Sequence, residues 1–170
     1  MLDKKVAKLI NEQVNKEFYS AYLYLDFANY YEDEGLEGFS NWYEIQAMEE
    51  RDHAMMMRKY LIDSGIRVTF DKIEKPDKTF DNHLAPLEAG LEHERYVTSL
   101  VLKIYKAADE AQDYKTMQFL DWFVKEQGEE EKNAEDLIKK MKLYGGDGKG
   151  LYMLNQELAA RKYTAPSAAE

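Results

Sequence analysis

The stretch Glu49-Glu50-Arg51-Asp52-His53-Ala54-Met55-Met56-Met57 holds a Glu-x-x-His pair, Glu50 and His53. On a helix, residues three apart are surface neighbours, so these two side chains overhang one site. At about 100° per residue, positions 7 or 11 apart return to within roughly 20° of the same face. Glu50 shares its face with Phe39, Tyr43, Met57 and Leu61, which puts a carboxylate in the middle of an apolar stripe. Met55, Met56 and Met57 fall on different faces and read as packing residues. A lone Glu-x-x-His is a weak signal, and its weight depends on the rest of the chain.

The same arrangement recurs on three other stretches. Glu17 lies on a face with Ile10, Tyr24 and Ala28, and Glu94 on one with Leu87, Val101 and Tyr105. Gln127 lies with Leu120, Ala134 and Ile138, and Glu130 is one turn further on. Glycine and proline mark the ends of these segments. A first helix is predicted over 3–33, capped by Asp3 with Gly35 just beyond, and a second over 36–64, stopped by Gly65. A polar connection over 66–82 precedes a third helix over 83–112, with Pro86 in its first turn. The fourth spans 114–144, capped by Asp113 and ended by Gly145-Gly146, and a shorter fifth spans 151–162. Residues 163–170 are expected to fray.

Short turns between the first and second helices, and between the third and fourth, make antiparallel hairpins. The connection between the pairs covers roughly 3.3 Å per residue when extended, enough to run the length of a bundle. The second and third helices then lie parallel. The expected fold is an all-α four-helix bundle, one domain with a single long crossover and a short fifth helix. Leu151, Leu154 and Leu158 form a stripe on that fifth helix, read here as a subunit contact.

Composition narrows the chemistry. The 170 residues carry a formal net charge of −10, which disfavours binding to nucleic acid. There is no cysteine, which excludes disulfides, thiolate metal sites and thiol nucleophiles. Apolar residues make up 45%, enough for a substantial core, but no uninterrupted apolar run is long enough to span a membrane. The opening Met-Leu-Asp-Lys-Lys-Val lacks the apolar stretch of a signal peptide, and a cytoplasmic protein is expected.

Glu17, Glu50, Glu94 and Glu130 converge at one level of such a bundle. Burying them ionised without counter-charge costs several kcal/mol per ion. Protons or cations must neutralise them. One imidazole, His53, among oxygen donors suits iron or manganese, and four negative charges match two divalent ions.

With these residues in place the chain resembles the non-haem ferritins of bacteria and archaea, over nearly its whole length. The resemblance implies iron storage, and ferroxidase oxidation of Fe(II) by O2 or H2O2. The ferric mineral would lie inside a hollow homo-oligomeric shell, a 24-mer. It assigns Glu17, Glu50 and His53 to a first iron site and Glu50, Glu94 and Glu130 to a second, with Glu50 bridging. Gln127 and Tyr24 fall beside the centre in catalytic roles, and Glu49, Glu126 and Glu129 make an adjoining third iron site that shares Glu130. Relatives with a second Glu-x-x-His differ here, because the fourth helix reads Gln127-Gly128-Glu129-Glu130. Arg51 stands where bacterioferritin carries its haem-ligating methionine, so no haem is expected. Gly128 costs about 1 kcal/mol against alanine in mid-helix, and room beside the metal is its expected reason. Two alternatives remain at this level: a di-iron or manganese/iron oxidase acting on another substrate, and a metal-free structural bundle.

Overall fold

A computed structural model describes residues 2–166, so the last four residues of the expected fraying tail lie outside the described residues. Five helices follow one another: α1 (Lys4–Asp33), α2 (Glu37–Asp63), α3 (Ala85–Glu110), α4 (Tyr114–Tyr144) and α5 (Gly148–Ala159). No strand occurs among the described residues. None of the described helices is long and apolar enough to cross a membrane.

The caps explain where the helices start. Asp3 accepts from the amides of Lys5 at 2.8 Å and Val6 at 3.1 Å, and Asp113 accepts from Thr116 N at 3.1 Å. The α1–α2 turn closes through Gly35 at φ +74°, with Leu36 N donating to Tyr31 O at 2.8 Å. The α3–α4 turn uses the same device with Gln112 at φ 54°, so α3 ends two residues before the expected boundary. The fifth helix departs more: it begins at Gly148 rather than Leu151, capped by Asp147, which accepts from Gly150 N at 2.8 Å.

Cross-helix contacts fix the topology. Between α1 and α3, Lys5 pairs with Glu110 and Tyr24 with Glu94, and Tyr31 donates to the carbonyl of His83 just before α3. The rising and falling numbers make these helices antiparallel. Tyr31 stacks on Phe39 and Tyr43 at the start of α2, while Val6 and Ile10 pack with Met57 and Leu61 near its end, so α1 and α2 are also antiparallel. Hence α2 and α3 are parallel, joined by the crossover over 64–84. That segment lies along α1, where Asn11 exchanges two hydrogen bonds with Thr69, both 2.9 Å, and Asn15 donates to Lys72 O at 3.1 Å.

The core is split in two. One apolar half gathers Leu23, Phe27, Phe39, Tyr43, Leu87 and Leu137, and the other gathers Val6, Ile10, Met57, Leu61, Val101 and Leu120. Between them, on four helices, lie the buried polar residues Glu17, Glu50, His53, Glu94, Gln127 and Glu130. The residues expected to share faces with these are buried too, apart from Tyr105 and Ala134, which are half-buried. A helical bundle gains most of its stability from burying apolar stripes. A polar layer across all four stripes therefore runs against stability and marks the site.

Two expectations change. Leu154 and Leu158 are buried in the first half-core against the chain's own α2 and α4, so that stripe serves the subunit itself. The exposed apolar residues of this region are instead Leu143, Tyr144, Tyr152 and Met153. Gly128 faces outward, and a Cβ added there meets nothing within 4 Å, so room beside the centre does not explain it.

Candidate metal centre

Glu17, Glu50 and His53 offer ligand atoms that all lie within 4.8 Å of one another, and His53, Glu126 and Glu130 form a second such group. Helical spacing produces the first: α1 presents Glu17 from one side, and α2 presents Glu50 and His53 one turn apart from the other. His53 Nδ1 is 3.4 Å from Glu50 Oε2, and its ring stands edge-on to Trp122 and Phe123 at 5.5 and 5.9 Å. Glu94 stands outside both groups but belongs to the same layer. It accepts from the Tyr24 phenol, and its Oε2 lies 3.1 Å from Gln127 Nε2, which donates to it.

Two side chains unnoticed in the sequence hold the carboxylates. Gln13 donates to Glu17 Oε1 at 2.7 Å, and Gln46 donates to Glu130 Oε2 at 2.6 Å and to Glu50 Oε1 at 3.3 Å. Each glutamine precedes its glutamate by four residues on a core-facing stripe, and that shared Gln-x-x-x-Glu spacing was the available signal. After these bonds, Glu17 Oε2 and Glu50 Oε2 remain buried with no hydrogen-bond partner. Buried acceptors are almost always satisfied, and a lone carboxylate oxygen in the interior is costly. Oxygen donors converging with one imidazole are what a divalent iron ion requires, so the residues present fit that metal.

The electrostatics agree. Burial, reinforced by Glu50, pushes the Glu17 carboxyl up to about 8. Burial and the neighbouring Glu50 do the same to Glu94, again to about 8. Glu130 also rises to about 8, through burial and Glu94, and Glu50 is raised well above the usual carboxylate range by burial and Glu130. Burial likewise raises the Tyr24 phenol, with the Glu94 charge adding to it, which keeps it a hydroxyl donor at working pH.

The three residues of the implied third site are not gathered in one group. Glu126 is half-buried and joins His53 and Glu130. Glu129 is largely exposed, 4.0 Å from Lys125. Glu49 is turned to Arg161, whose Nη2 donates to its Oε2 at 2.6 Å.

A ferritin-like domain family matches residues 7–144. The bacterial non-haem ferritin of Staphylococcus saprophyticus is 39% identical over 163 residues, covering 96% of this chain and 98% of that protein. That of Campylobacter jejuni is 36% identical over 156 residues, covering 92% and 93%. Among solved structures, an open-pore ferritin from the hyperthermophilic archaeon Archaeoglobus fulgidus superposes with a TM-score of 0.93 at 40% identity, covering 95% of this chain and all of that one. A closed form of the A. fulgidus ferritin, made by site-directed mutagenesis, gives 0.94. With a four-helix bundle, one long crossover and a carboxylate layer across its core, this chain belongs to the ferritin family, the iron-storage proteins of this fold.

Proposed function

We propose that each subunit is a ferroxidase whose centre binds two Fe(II) ions, oxidises them, and passes the ferric product to a mineral inside a shell of 24 copies. The observation that carries this reading is the pair of buried, unpartnered oxygens, Glu17 Oε2 and Glu50 Oε2, converging with His53. A metal-free bundle would leave both oxygens buried without a hydrogen bond.

Glu17, Glu50 and His53 take the first ion, and Glu50, Glu94 and Glu130 the second. Four carboxylates neutralise two divalent charges, and Gln13 and Gln46 fix the lone pairs that point away from the metal. Carboxyl groups with raised pKa values hold protons at neutral pH, and Fe(II) binding displaces them. Each Fe(II) gives one electron, so two Fe(II), O2 and two protons yield two Fe(III) and H2O2. With H2O2 as oxidant, two Fe(II) and two protons yield two Fe(III) and two water molecules. Paired donation avoids releasing superoxide. A donor set with one imidazole and one neutral amide, Gln127, holds the product moderately and lets it leave. Acidic surface charge, part of the net −10, draws cations toward the protein.

Mixing apoprotein with two Fe(II) per subunit in air tests the reading. The expected result is rapid oxidation consuming one O2 per two Fe(II). Oxidation no faster than in buffer overturns it.

A further inference from the structure

The segment that follows α5 runs back along the outside of α2. Asn41 Nδ2 donates to the carbonyls of Leu158 at 3.1 Å and Arg161 at 3.2 Å, which pins the chain as it leaves the helix. The Arg161 guanidinium then lies over the Trp42 ring, 4.1 Å from its centroid. Its Nη1 donates to Trp42 O and to Gln46 Oε1, both at 3.1 Å, and its Nη2 donates to Glu49 Oε2 at 2.6 Å. Two residues on, the Tyr163 hydroxyl donates to Asp52. Trp42, Gln46, Glu49 and Asp52 are spaced by four, three and three residues, one stripe of α2. The Arg161 side chain is 18% exposed and the Glu49 side chain 22%, so this is an enclosed fork and not a solvated surface pair.

Gln46 is the amide that bonds Glu50 and Glu130. By accepting from Arg161, its oxygen is committed outward and its NH2 is forced toward the two carboxylates. The same guanidinium occupies Glu49, whose charge lies close enough to act on Glu126.

We propose that Arg161 is a positioning residue of the iron centre that sets how many cations it takes: it orients Gln46 toward the two-ion site and stands at Glu49 in place of a third cation. The proposal rests on the ferroxidase reading. A cation approaching Glu49 and Glu126 must displace a guanidinium held by three hydrogen-bond acceptors and an aromatic face. This protein therefore takes two ions per subunit tightly and a third only weakly, and removing the positive charge opens the third position.

The test is calorimetric titration of the assembled apoprotein with Zn(II), which is redox-inert, in wild type, Arg161→Gln, Arg161→Lys and the double variant Arg161→Gln/Glu49→Gln. Assembly is checked by size-exclusion chromatography. Wild type is expected to bind two ions tightly, and Arg161→Gln to tighten a third by tenfold or more. Arg161→Lys restores the charge without the planar fork, so it should keep the third position weak. The double variant should lose the gained site, which locates it at Glu49. A third ion bound equally by wild type and Arg161→Gln, or a gained site that survives Glu49→Gln, overturns the proposal. Wild type that binds no Zn(II) tightly, with Glu17→Ala unchanged, would instead sink the ferroxidase reading beneath it.

Discussion

The Tyr24 phenol on α1 donates to the Glu94 carboxylate on α3, tying together two helices of different hairpins at the level of the carboxylate layer. Because burial, and after it the Glu94 charge, holds the phenol protonated, Tyr24 acts as a donor that sets the direction in which Glu94 presents its other oxygen. Tyr24→Phe should slow initial Fe(II) oxidation by about tenfold while leaving the number of bound Zn(II) ions unchanged. Stopped-flow absorbance and calorimetry together check this. A loss of bound metal equal to the loss of rate would make Tyr24 a determinant of binding instead.

Glu17→Ala and His53→Ala each remove a donor from the first ion position. Both should cut the initial oxidation rate by at least about tenfold, since even residues that only support ligands typically cost 10–100-fold. The shell should remain intact, because each substitution leaves the two apolar half-cores untouched. Wild-type rates in both variants would place the chemistry elsewhere.

Stability of the apoprotein should fall as pH rises. Glu17, Glu94 and Glu130 have folded pKa values near 8 against an ordinary 4.5, so their contribution is fully present below about 4.5 and is lost as pH climbs through about 8. They titrate together rather than singly. With 1 kcal/mol worth about 2–4 °C for a chain of this size, apo Tm at pH 5.5 should exceed that at pH 8.5 by more than about 5 °C. Zn(II) binds only the folded state and should narrow the gap. Glu130→Gln removes one charge and keeps the shape, so it should raise apo Tm at pH 8.5 and shrink the Zn(II) gain. Scanning calorimetry of both proteins would refute the cluster argument if apo Tm rose with pH.

Association should be large and closed. Leu143, Tyr144, Tyr152 and Met153 are 74, 53, 64 and 63% exposed around the α4–α5 junction, an apolar surface that a lone subunit leaves in water. Light scattering should give a single species of about 24 subunits, and Met153→Glu with Tyr152→Glu should weaken it. Monomers or dimers of wild type would exclude a mineral-holding shell.

The four carboxylate positions were legible because the 7- and 11-residue spacing operates within single helices, where burial follows from sequence alone. The glutamine clamps were equally local and were overlooked, since an amide on a core stripe reads as an ordinary polar residue. Arg161 was illegible for a different reason. It lies 112 residues from Glu49, and only the docking of α5 on α2 brings the two together. The start of α5 was misjudged because Gly148 and Gly150 argue against a helical first turn. In the structure Gly150 sits so close to the end of α4 that a Cβ would lie 2.5 Å from Tyr144 O.

Helix α2 has no side-chain cap from its own residues: its first amides, Gly38 N and Phe39 N, donate to Asn155 Oδ1 on α5 at 2.8 and 3.3 Å. Every side chain assigned to the two-ion centre, by contrast, lies at or before Glu130. Asn155 and Arg161, the residues that close the first turn of α2 and restrain Gln46, therefore come later in the chain than every proposed ligand. Order along the chain thus separates having the ligands from holding them in place. A subunit cut short before α5 would keep every proposed ligand and lose the residues that close the first turn of α2 and hold Gln46.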